Sequence, residues 1–254
     1  LVRYGSKYQM DKAAAINSLF GGEHEVEVAT PEIISAPAWS DLERLNKERE
    51  LVGIYLSAHP LDEYAVVLEN VCNVHMEELS NLTPLQNRDL ILGGIVTGVR
   101  EGYTKSGKPY GIAKVEDYSG VAEFAFFGNE WVEKKNFFSE GMFLFMHGKC
   151  QPRQWKPDEW EVKINTIELL PDVKDRVIEK LTVTAPLSAI NDELIMELPS
   201  LIKASPGNAE LCFFIRDEDG LMHVNLMSRT LKIAVHKELV NYLKSQPMLD
   251  YKIN

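Results

Sequence analysis

The stretch from Leu90 to Phe127, LILGGIVTGVREGYTKSGKPYGIAKVEDYSGVAEFAFF, restricts the fold more than any other part of this chain. Leu90 to Arg100 is apolar and β-branched, interrupted by Gly93, Gly94 and Gly98. The run Gly102 to Pro109 predicts a turn, Tyr110 to Glu116 a second strand, Asp117 to Gly120 another turn, and Val121 to Phe127 a third strand. Such a succession is an antiparallel meander. Glycines inside a strand mark bulges or bends, which a small closed barrel needs where its strands coil.

The continuation supplies the rest of a barrel. Gly128 to Ser139 predicts a short helix, Gly141 to Lys149 a largely buried fourth strand, and Glu159 to Leu170 a fifth. In the fifth, Trp160, Val162, Ile164 and Ile167 alternate with one slip, which a bulge would absorb. Five strands with a helix between the third and fourth predict an OB-fold over residues 88–170, a Greek-key barrel used to hold single-stranded nucleic acid.

The fold class is therefore mixed and multi-domain, with an N-terminal linker and helical segment, the all-β OB barrel, and a small C-terminal α+β domain. Residues 1–22 combine a helix end, Val2 to Ala15, with the peptide Ile16 to Gly22. There the adjacent Leu19 and Phe20 read either as a linear motif for a partner's pocket or as a local hydrophobic anchor. Residues 23–87 form an acidic linker and helical connector. Ser40 and Glu43 predict a capping box that opens a helix from Asp41 to about Ser57, and a shorter helix runs from Leu61 to Asn70. Between them, His59 reads as a turn residue before Pro60. Met76 to Leu82 leads into the barrel. In residues 171–254, strands are expected at Val177 to Val183, Glu210 to Arg216, Leu221 to Met227, Leu231 to Val235 and Met248 to Ile253. Helices are expected at Asn191 to Lys203 and His236 to Gln246.

Charge narrows the chemistry. The net charge of −11 argues against a bulk electrostatic grip on DNA. Residues 1–87 hold 6 basic and 14 acidic side chains, whereas residues 88–170 hold 11 and 12, so the barrel is close to neutral. Cys72, Cys150 and Cys212 form no CxxC pair, and Cys72 with His75 lacks a second pair to complete a zinc site. No aspartates cluster for two-metal catalysis, so no catalytic residue, metal ligand or cofactor is assigned. With no signal peptide or membrane span, the chain reads as a piece of a longer cytosolic protein.

Two predicted loops of the barrel interleave cations with aromatics. Tyr103, Lys105, Lys108 and Tyr110 surround the turn between the first two strands; Arg153, Trp155, Lys156 and Trp160 lie before the fifth. Lysine and arginine reach phosphates while aromatic rings stack on bases, at roughly 1–3 kcal/mol per stacked base. The competing reading has Trp155 and Trp160 closing the barrel bottom and the lysines as ordinary surface charges. Phe124, Phe126 and Phe127 are assigned to the core.

Taken in order, four landmarks resemble the C-terminal region of the α subunit of bacterial DNA polymerase III. They are SLFGG at 18–22, KERELVGIYLSAHPLDEY at 47–64, GGIVTGVREGYTKSGKPYGIAKVEDYSG at 93–120 and PGNAELCFFIRDEDG at 206–220. The resemblance implies that Ser18, Leu19 and Phe20 bind the sliding clamp (β), with Ile16 standing where the family has a glutamine. It implies that the barrel contacts single-stranded template DNA and that the C-terminal domain contacts the clamp-loader τ subunit. It further implies a bacterial cytoplasmic protein whose polymerase domain, with its Mg2+, lies upstream. Two alternatives compete with it: an RNA-binding OB module of the tRNA-anticodon type and a pure protein-interaction scaffold.

Overall fold

The computed structural model describes residues 2–16, 38–53, 55–154, 156–217, 219 and 222–254. Helix α1 (Val2–Ile16) belongs to a unit separate from that of residues 41–254. In α1, Tyr4 and Tyr8 are one helical turn apart, and their ring centroids lie 6.0 Å from one another.

Helix α2 (Asp41–Val52) is shorter than its sequence suggests. Gly53 stops it: its φ of +89° is a left-handed conformation that an L side chain rarely adopts, and its N–H donates to the Arg49 carbonyl at 2.8 Å. The next helix starts one residue before expectation, as a 3-10 turn at Pro60–Tyr64 that continues into α3 (Ala65–Asn70). Proline lacks an N–H, so it suits the first helical position. His59 is the cap: its Nδ1 accepts from Leu61 N–H at 3.2 Å, while the Asp62 carboxylate accepts from His59 N–H at 3.3 Å. Burial pushes the His59 imidazole below its usual pKa, as expected for a neutral ring held by a turn.

The first sheet has the order β3-β2-β1-β4-β5 and is antiparallel throughout. Its strands are β1 (Asp89–Tyr103), β2 (Pro109–Glu116), β3 (Val121–Phe127), β4 (Phe143–Arg153) and β5 (Lys156–Leu169). Helix α4 (Asn129–Lys134) and a 3-10 turn sit between β3 and β4. The expected slip in β5 is a bulge: Gly148 pairs with Ile164 but His147 with Thr166, so Asn165 is the extra residue. A second bulge lies between Val96 and Gly98. At Gly93 the reason for glycine is space, because a Cβ there would stand 2.3 Å from Cδ2 of Leu68. The sheet coils into a barrel around Leu90, Leu92, Val115, Phe124, Phe126 and Met146, all buried. Among the described residues no backbone pairing joins β3 to β5, so the barrel is open there rather than closed.

The second sheet has the order β8-β7-β6-β9, from β6 (Lys180–Pro186), β7 (Pro206–Arg216), β8 (His223–Ile233) and β9 (Asp250–Ile253). Helix α6 (Asp192–Ala204) makes the crossover between parallel β6 and β7, and α7 (Lys237–Ser245) precedes β9. The two strands expected at 221–227 and 231–235 are one strand, β8, whose pairing with β7 is irregular between Glu210 and Cys212. Where a strand was expected from Val177, helix α5 (Leu170–Val177) runs to that residue. Pro171, which reads as a break, occupies its first turn.

Residues 60–85, in the helical connector, pack against the sheets on either side of them in sequence. Leu61, Tyr64 and Val67 share one buried cluster with Phe145 of the barrel and with Leu181, Leu211 and Leu239 of the second sheet and α7. Acidic side chains of this connector meet cations of the C-terminal part: Glu63 with Lys174 at 2.5 Å, Glu69 with Lys244 at 2.9 Å and Asp62 with Lys237 at 3.3 Å. Burial of apolar surface at about 25 cal/mol per Å² makes the cluster the main tie, because exposed ion pairs contribute only about 0–1 kcal/mol each.

Candidate nucleic-acid interface

Strand pairing fixes which side chains share the outer face of β1, β2 and β3. Gly102 pairs with Tyr110 and Tyr110 with Phe127; Arg100 pairs with Ile112 and Ile112 with Ala125; Gly98 pairs with Lys114 and Lys114 with Glu123. The alternate residues Ala113, Val115, Phe124 and Phe126 are buried inside. Phe127 therefore departs from the core assignment made for all three phenylalanines. One parity step from Phe126, it is 57% exposed, and its ring centroid lies 6.1 Å from that of Tyr110. Arg100 is also exposed on this face, while Lys114 is spent in part on Glu123 at 3.4 Å. Sequence reasoning missed Arg100 and Phe127, although strict alternation in β2 and β3 carries the signal.

The β1–β2 hairpin extends from one end of this face. Thr104 organises its tip: the backbone N–H donates to the Lys108 carbonyl at 2.8 Å, and Oγ1 accepts from the Lys108 N–H at 3.1 Å. Tyr103 is 78% exposed, and Lys105 and Lys108 are exposed without an ion pair among the described residues. These three predicted residues share the hairpin that adjoins the fourth, Tyr110, although Tyr103, paired with Pro109 one step from Gly102, projects from the opposite face.

The second predicted group lies elsewhere and is differently wired. Arg153 and Lys156 are not in a long loop, because β4 runs to Arg153 and β5 starts at Lys156. Arg153 is held by Glu159 at 3.1 Å and Glu161 at 3.8 Å, and Lys156 by Glu159 at 2.7 Å. Trp155 lies outside the described residues. Trp160 is half-buried against the barrel core, as in the barrel-closing alternative.

Arg153, Lys156 and Trp160 border the cavity left where β3 and β5 do not pair, a space of about 1090 Å³. Glu123, Ala125 and Phe127 of the outer face line it too, so cavity and outer face meet along β3; Tyr103, Lys105, Lys108 and Tyr110 are not on it. Ser18, Leu19 and Phe20 lie outside the described residues. Among the described residues no three His, Cys, Asp or Glu side chains gather to hold a metal ion, and no helix is long and apolar enough to cross a membrane.

Comparison with known proteins agrees with both sheets. Residues 90–170 match the model of an OB-fold nucleic acid binding domain, and residues 181–254 match that of the DNA polymerase III alpha subunit, C-terminal domain. DNA polymerase III subunit alpha of Halalkalibacterium halodurans is 28% identical over 178 residues, 68% of this chain and 15% of the relative. That of Saccharopolyspora erythraea is 23% identical over 82% of this chain and 18% of the relative, and that of Treponema pallidum 35% identical over 38% and 8%. The chain thus spans less than a fifth of the length of these relatives. Across most of its residues, it is similar to the C-terminal region of DNA polymerase III alpha subunits.

Proposed function

We propose that this chain is the accessory, non-catalytic part of a bacterial replicative DNA polymerase: it holds single-stranded template on the outer face of β1–β3 and tethers the polymerase to its sliding clamp and clamp loader. The observation that carries this reading is the pair of half-buried Tyr110 and exposed Phe127, set beside Arg100 and beside Lys105 and Lys108, which have no ion pair among the described residues. Aromatic faces accept any base, and lysine and arginine follow the phosphates; that combination suits sequence-tolerant binding of a single strand. The near-neutral barrel makes the affinity modest and sensitive to salt.

Tethering rests on the two ends. Ser18, Leu19 and Phe20 supply a short motif for the clamp, and residues 181–254 the contact to τ, for which β8 offers exposed Val224, Leu226 and Met227. Nucleotide transfer and its Mg2+ belong to the polymerase domain of the parent protein in this scheme.

Fluorescence anisotropy with labelled oligo-dT, at low and near-physiological salt, tests the template contact. Binding at low salt that fades as salt rises is expected; no binding at either salt overturns it. For the clamp, Leu19→Ala with Phe20→Ala should abolish association, and unchanged affinity would remove the motif.

A further inference from the structure

We propose that the gap between β3 and β5 is a second binding site, which takes an extended, basic peptide of a partner protein as an added strand. Both strands are edges of the sheet, and both line the same cavity of about 1090 Å³. An edge strand presents backbone N–H and C=O groups at alternate residues, and a peptide main chain meets them with the same spacing. A sugar–phosphate chain has no such ladder to offer.

The floor and the rim name the occupant further. Phe124, Val162, Trp160 and Leu79 give the cavity an apolar lining, suited to alternate apolar side chains of a strand. Glu77, Glu123 and Glu161 stand around it, and its two cations, Arg153 and Lys156, are held by Glu159 and Glu161. Counted with their partners, the carboxylates of Glu77, Glu123, Glu159 and Glu161 face the cations of Lys114, Arg153 and Lys156, so the rim keeps an acidic excess, which disfavours phosphate and favours lysine or arginine. This is the reverse of the β1–β2 hairpin. The far end shows how the strand edge recruits a donor: Lys134, from α4, donates through Nζ to the Ile164 carbonyl at 2.5 Å and pairs with Glu130 at 2.8 Å. That lysine occupies the Ile164 carbonyl, and the stretch toward Lys156 remains for a ligand.

Amide hydrogen exchange on the whole chain tests the site. The probe is a short peptide that alternates valine and threonine between terminal lysines; a counterpart ends in glutamates, and oligo-dT is the third ligand. The lysine-ended peptide should slow exchange in Val121–Phe127 and across 159–163, and should bind about fivefold or more tightly than its glutamate-ended counterpart. Glu123→Lys with Glu161→Lys should reverse that preference, with exchange in β1 unchanged as the sign of an intact barrel. Protection of residues 159–163, which are not on the outer face, by oligo-dT but not by peptide would give the gap to nucleic acid and overturn the proposal. Protection that grows with protein concentration alone would give it to a second copy and overturn it as well. So would a lack of protection by either peptide. Because the two sites share β3, residues 159–163 report on the gap, and template binding at the outer face is read separately by anisotropy of oligo-dT on the unaltered chain.

Discussion

The hairpins β1–β2 and β4–β5 carry the same residue types, yet only one offers free charge. Lys105 and Lys108 project from a tip ordered by Thr104, and neither is paired with a carboxylate among the described residues. Arg153 and Lys156 sit beside Glu159 and Glu161 of strand β5, which neutralise them. A cation counts toward phosphate binding only after its cross-strand neighbours are counted. As a result, the barrel presents uncompensated cations beside aromatic rings at the β1–β2 hairpin and an acidic-rimmed gap between β3 and β5.

The largest expected effect tests the parity that creates the outer face. Phe126→Ala removes a buried ring and should cost about 3–5 kcal/mol of stability, read from the denaturation midpoint. Phe127→Ala, one residue on, should cost under about 1 kcal/mol of stability yet about 1–3 kcal/mol of oligo-dT binding. Equal losses of stability would mean that Phe127 is core, and the outer face would lose its stacking platform.

Strand β3 is legible to the residue because its apolar side chains alternate between clear turns. The bulge at Asn165 is also legible, as a slip in an otherwise regular alternation. The sequence conceals what depends on neighbours distant in the chain. Pro171 looks like a break but starts α5, and Ser228 to Thr230 looks like a turn but lies within β8. The packing of the 60–85 connector needs Leu181 and Leu239, more than a hundred residues downstream of Leu61. The site divides in the same way. Tyr103, Lys105, Lys108 and Tyr110 adjoin a single turn and are visible as a group, whereas the fate of Arg153 depends on the register that brings Glu161 beside it.

The next effect separates the two hairpins directly. Lys105→Glu with Lys108→Glu should weaken oligo-dT binding on the order of tenfold at low salt. It should also flatten the dependence of log K on log salt by about 1.4, at about 0.7 for each phosphate no longer neutralised. Arg153→Gln with Lys156→Gln should change affinity by less than about threefold, since carboxylates already hold both cations. A comparable loss from both pairs would erase the distinction and place the strand across both hairpins.

The smallest effect has the opposite sign and probes the cause of that distinction. Glu159→Gln with Glu161→Gln leaves Arg153 and Lys156 in place but removes the charges that occupy them. Each exposed pair is worth about 0–1 kcal/mol, so the released cations should tighten oligo-dT binding by about threefold, with a steeper salt slope. If the slope steepens but the affinity does not, the released cations reach phosphate without a stacking surface beside them. If neither changes, the carboxylates are not what silences this hairpin. The gap that lies between it and Phe127 would then account for the difference between the two hairpins, and geometry rather than charge would decide where the strand lies.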